Sequence, residues 1–192
     1  MATQRRRVPV RKDNRPAPPR EDGMAMTKAE AEPERPDPTC DCPRLEHSDW
    51  HEVESDWREI SFVKGALNAV MGVPIGYGGA RLKLLQKATK AGAGVPADPM
   101  LLIGPGRMRR PFLLEAEGLD PRRAYRPGGV AFSRLASAPM GGMKAAVKAT
   151  VAAASTRYGR KPDRVWIWYL TCAVCSGPRD FETLIIAHYR KP

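Results

Sequence analysis

Two close-spaced cysteine pairs constrain this chain more than any other feature. Cys40-Asp41-Cys42-Pro43 lies early and Cys172-Ala173-Val174-Cys175 lies late, so anything that joins the pairs must bring two distant stretches together. They account for all four cysteines of the sequence. A CxC and a CxxC each offer two thiolates from one tight turn, and four thiolates complete a tetrahedral zinc site. Such a site keeps no open position for water or substrate. The expectation is therefore a structural zinc staple with ligands Cys40, Cys42, Cys172 and Cys175, and chemistry located elsewhere. A disulfide or plain buried thiols are the alternatives, and a reducing compartment favours the metal. His47 and His51 leave a second metal arrangement open. Four residues apart, they extend Cys40 and Cys42 into a C-x-C-x4-H-x3-H pattern that resembles a small local zinc site.

The length of 192 residues suits one ordinary domain, or two small halves sharing a core. Residues 1–39 carry Arg5-Arg6-Arg7, Arg11-Lys12, repeated prolines, an acidic Ala-Glu patch and no aromatic residue. That composition cannot bury enough apolar surface to offset ordering entropy, so a disordered basic, Pro-rich tail is expected ahead of a domain over 40–192. No secretory signal is visible and no stretch approaches the roughly 18 apolar residues of a membrane span. A soluble, cytoplasmic protein without a membrane partner is expected.

Lysine and arginine number 32 against 21 acidic residues, a formal net charge of +11 that attracts polyanions. A basic, zinc-containing interaction protein that meets nucleic acid through its tail is therefore the alternative to a small-molecule function. The basic residues are scattered through Arg107 to Arg110, Arg122 to Arg126 and Lys144 to Lys161, without a helix-turn-helix or stacking-aromatic pattern. The oligomeric state is not legible.

Pattern and punctuation predict an α+β fold. Pro43 to Glu54 reads as a short helix or irregular lead-in. Ile60 to Val63 alternates as strands do and continues towards Val70. After the glycine-rich Gly72 to Gly79, Ala80 to Ala93 has the spacing of an amphipathic helix. Pro99 to Ile103 and Pro111 to Glu117 then form a hairpin around Gly104-Pro105-Gly106. The second half repeats that order: a strand from Gly129 to Leu135, a helix from about Met140 to Tyr158, and strands Arg164 to Thr171 and Phe181 to Tyr189. The expected architecture is a duplicated β-α-β-β unit, over about 58–118 and about 128–190, with an antiparallel sheet and helices on one face. A ligand cleft between the halves follows from that expectation.

Gly129-Val130-Ala131-Phe132-Ser133-Arg134-Leu135-Ala136-Ser137-Ala138-Pro139-Met140, followed by a helix and by Arg164-Val165-Trp166-Ile167-Trp168-Tyr169-Leu170-Thr171, resembles the GyrI-like small-molecule (effector) binding fold. The resemblance spans about Arg58 to Tyr189 in element order. It implies an amphipathic or aromatic compound bound between the repeats, as in drug sensors and in members that hydrolyse reactive natural products. The family's strand carboxylate falls at Ile167 and is missing here. The CDCP start and the W-Y-x-T-C-x-x-C strand also resemble a bacterial subgroup whose members carry the label hydrolase.

Several residues are candidates for a site. Trp166 and Trp168 share one strand face and Tyr169 takes the other, so an aromatic wall or an aromatic core is expected. Tyr169 matches the tyrosine of the family strand. Glu115 and Glu117 share a face by their spacing of two and could attract a cation or serve as acid and base. Glu115, further inside the strand, is the candidate for activating a water, with Glu117, Trp166, Trp168 and Tyr169 holding the ligand. Glu182 and His188 are weaker candidates.

Overall fold

The computed structural model describes residues 40–71, 73–139 and 141–190; the tail expected over 1–39 lies outside the described residues. In chain order the elements are α1 (His47–Trp50), β1 (Val53–Asp56), β2 (Phe62–Val70), β3 (Val73–Ile75) and α2 (Tyr77–Lys90). There follow β4 (Leu101–Ile103), β5 (Arg109–Glu115), β6 (Val130–Ser137), α3 (Met143–Tyr158), β7 (Arg164–Tyr169) and β8 (Glu182–Tyr189). The strands form one 8-stranded antiparallel sheet in the order β1-β6-β8-β7-β4-β5-β2-β3. The fold is α+β, as expected.

The duplication is visible in this order. From the middle outward, β4, β5 and β2 repeat what β7, β8 and β6 do on the other side, and the halves meet where Ile103 stands opposite Ile167. In β2, Val63, Leu67 and Ala69 are buried while Lys64, Ala66 and Asn68 alternate to solvent. Helix α2 places Leu84 and Ala88, four residues apart, against the sheet. At Gly65 a Cβ would stand 2.8 Å from Leu84 Cδ2, so this glycine seats the helix close to the strand. In the second half Ala154 of α3 packs with Phe132, Ala187 and Tyr189. The register places Gly65, Phe112, Ile103, Ile167 and Ala187 on one face, so both helices cover the same side.

The opposite face is closed by the lead-in and by the connection between β5 and β6. Trp57 lies 5.8 Å from the Phe62 ring and 5.4 Å from the His188 ring, and Trp50 meets Trp168 edge-on at 6.2 Å. Tyr125 meets Trp166 edge-on at 6.3 Å. Gly129 has φ of 71°, and a Cβ there would come within 2.0 Å of the Tyr189 carbonyl oxygen. Only glycine fits, and its own carbonyl accepts the Trp57 N–H at 2.9 Å.

Two strands escaped the sequence reading. β1 extends the sheet beyond β6 and β3 extends it beyond β2; each is short, and β3 lies inside the stretch read as a turn. The expected cleft at the seam also needs correction. β4 and β7 join the halves through one continuous sheet, and Leu102, Ile103, Ile167 and Trp166 fill the joint as buried core. Among the described residues no helix is long and apolar enough to cross a membrane.

Candidate functional site

The four cysteines converge. Cys40 and Cys42 come from the lead-in before α1, and Cys172 and Cys175 from the turn between β7 and β8. Cys40 Sγ is 3.5 Å from Cys172 Sγ, Cys172 Sγ is 3.8 Å from Cys175 Sγ, and all four sulfurs lie within 4.8 Å of one another. A Zn–S bond of about 2.3 Å in a tetrahedron implies sulfur separations of about 3.8 Å, whereas a disulfide would require about 2.05 Å. The donors and spacing therefore fit a metal ion held by four thiolates. His47 and His51 are not in the group. Their rings stack at 4.1 Å, and a ring nitrogen of His51 is 3.0 Å from the Leu135 carbonyl oxygen.

The local backbone prepares the CxxC turn. Ser176 N–H donates to the Cys172 carbonyl at 2.9 Å and Arg179 N–H to the Cys175 carbonyl at 3.0 Å. Backbone hydrogen bonds from Cys175 and Val174, with a side-chain bond from Cys40, draw the Cys172 thiol down to about 6. Burial pushes the Cys42 thiol up, helped by the other cysteines around it. One thiolate is thus favoured before any metal arrives, and a cation among the sulfurs would favour the rest.

Arg179 stitches the same two segments together. Its guanidinium donates to the Leu170 carbonyl at 3.1 Å and to the Pro43 carbonyl at 2.9 Å, and it pairs with Glu182. The lead-in and the β7–β8 turn are therefore joined by an arginine as well as by the cysteine cluster. Nothing in the sequence pattern singled out Arg179, because two of its three partners are backbone carbonyls.

The remaining candidates do not meet in one place. Glu115 is buried and its Oε2 accepts the Met100 N–H at 3.0 Å, on the face shared with Trp166 and Trp168. Trp166 and Trp168 are 0% and 1% exposed and belong to the core. Glu117 is exposed, with its backbone laddered to Gly94. His188 is buried, a ring nitrogen 2.6 Å from the Gly128 carbonyl oxygen. Burial holds its pKa below the usual histidine value.

Tyr169 faces the helix side and remains partly exposed. The Arg110 guanidinium acts on the Tyr169 hydroxyl, opposing the effect of burial. Arg110 is buried and its Nε donates to the Gly104 carbonyl at 2.7 Å. Burial raises the Tyr169 pKa despite the arginine, so the phenol stays protonated at neutral pH. Sequence reasoning passed over Arg110 as one of a basic run; the alternation of Arg109 outward and Arg110 inward was the signal that could have marked it.

A family model described as Bacterial hydrolase matches residues 32–181. No curated protein and no solved structure matches the chain. The GyrI-like resemblance is overturned by the family match, and with it the ligand cleft and effector-binding role that the resemblance implied. The shared element order was a property of the duplicated unit and carried no site residues with it.

Proposed function

The chain belongs to the bacterial hydrolase family, and on that premise we propose that it is a hydrolase whose chemistry is done by side chains while its four-cysteine centre holds a structural zinc ion. The supporting observation for the metal is the convergence of four sulfurs within 4.8 Å. Thiolate donors and tetrahedral spacing suit zinc, and a filled set of four leaves no position for a metal-bound water. The ion's contribution is to tie the lead-in to the β7–β8 turn.

For the reaction, the polar pair Arg110 and Tyr169 supports a site on the helix-covered face. Arg110 would stabilise negative charge developing on the oxygen of the bond under attack. Tyr169, kept protonated, would donate to or orient that oxygen or the leaving group. Glu115 has a different role in this reading: its carboxylate fixes the start of β4 through Met100.

Turnover of p-nitrophenyl acetate and p-nitrophenyl phosphate by the full chain tests the proposal. Arg110→Met and Tyr169→Phe should each reduce turnover by about 100-fold while leaving the circular dichroism spectrum unchanged. Full activity in both variants would overturn these roles. Metal analysis should find one zinc per chain, and chelation should lower the unfolding temperature, with activity falling only as structure is lost. A chelated chain that stays folded but inactive would instead make the metal catalytic.

A further inference from the structure

The first half carries a cavity of about 530 Å³ walled by Lys64, Ala66, Lys87, Arg109, Arg110 and Pro111. That volume falls within the roughly 300–1,000 Å³ of small-molecule pockets. Every ionisable side chain in its wall is a cation. Lys64 belongs to the exposed row of β2, and Arg109 is exposed on the adjoining strand, opposite Asn68. Lys87 reaches across from α2, which sits close over Gly65, and its Nζ donates to the Lys64 carbonyl at 2.9 Å. The Lys64 ammonium is 5.5 Å from the centre of the Tyr125 ring.

Among the described residues no carboxylate pairs with Lys64, Lys87 or Arg109. Like charges gathered around one cavity repel one another, and an anion among them turns that repulsion into attraction. The three side chains are exposed, so a ligand can enter without any part of the fold moving. Arg110 adds to the rim of this space, but its side chain turns to the helix-covered face with Tyr169, away from the face taken by Lys64 and Arg109.

We infer that this cavity binds a phosphate-bearing small molecule. A phosphate dianion matches several cations better than a single carboxylate does, and arginine engages it through paired N–H groups while lysine supplies a point charge. The inference does not rest on the hydrolase reading: the phosphate would sit among Lys64, Lys87 and Arg109 whether or not the molecule is a substrate.

Titration calorimetry of the full chain with inorganic pyrophosphate tests it. Saturable one-to-one binding that weakens as salt rises is expected, with acetate failing to bind. Lys64→Ala and Arg109→Ala should each weaken binding about tenfold, and the double variant about 100-fold, with unfolding temperatures unchanged. Lys148→Ala, an exposed position on α3, should have no effect. Absence of saturable binding, acetate binding as tight as pyrophosphate, or equal loss in Lys148→Ala would overturn the inference. Binding to RNA that pyrophosphate does not displace would overturn it too. Because the titration needs no turnover, phosphate binding that survives alongside fully active Arg110 and Tyr169 variants would sink the catalytic roles alone.

Discussion

The two halves repeat one β-α-β-β unit but are finished differently. The second half is fastened. Its outer strand β6 is covered by β1 over four residues, and the β7–β8 turn is joined to the lead-in by the cysteine cluster and Arg179. Tyr158 of its helix also hydrogen-bonds to Glu54 on β1. The first half is left open. Its outer strand β2 meets only the three residues of β3, and Val70, Met71, Val73 and Ile75 are exposed there. The cationic cavity lies in this half. The difference teaches that duplicated units can be finished differently, one anchoring the fold and the other leaving charged side chains open to solvent.

The largest test of this asymmetry is disruption of the four-cysteine cluster. Chelation, or Cys175→Ser, should lower the unfolding temperature by on the order of 10–20 °C. Hydrogen exchange should show β7, β8 and the lead-in losing protection before β2 and β5; equal loss in both halves would break the comparison. Trp168→Ala comes next, at about 3–5 kcal/mol, because a fully buried indole touching Trp50 would leave a cavity. Denaturant unfolding measures it, and a cost below about 1 kcal/mol would mean that the lead-in does not close this face.

A smaller effect is expected at Gly65→Val. The added carbons press on Leu84, costing about 1–3 kcal/mol and shifting Lys87, so pyrophosphate binding should fall as well. The corresponding disturbance in the second half, at Ala154, should cost stability without touching anion binding. The smallest effect is titration of His188. Its folded pKa lies below its unfolded value of about 6.5, so the unfolded chain takes up the proton first. Its contribution is fully present above about pH 6.5 and is lost as pH falls towards the folded pKa, at no more than about 1.4 kcal/mol per pH unit. His188→Asn should flatten that part of the pH–stability profile; an unchanged slope would assign it to other groups.

What could be read from the sequence follows from what each pattern encodes. The alternation in β2 and the repeated strand-helix-strand-strand order revealed the duplication because burial writes itself into local periodicity. The cysteine spacing revealed the cluster because two ligands per turn is a local constraint. β1 and β3 were not legible: they are 4 and 3 residues long, and their pairing depends on distant edges. Nor was the separation of Glu115 from Tyr169, since which face a side chain takes relative to another strand is fixed by register. The Arg110–Tyr169 pair joins positions far apart in sequence, and no motif of neighbouring residues announces it.

The cysteine centre also carries information about time. Cys40 and Cys172 lie 132 positions apart. A chain made from its N-terminus exposes the first two cysteines early and must wait for both repeat units before the other two emerge. A metal ion can settle into the full set only when the second unit is present and folded. Capture of an ion by all four sulfurs would thus wait for the second unit, and a chain stopped before Cys175 would lack that closure.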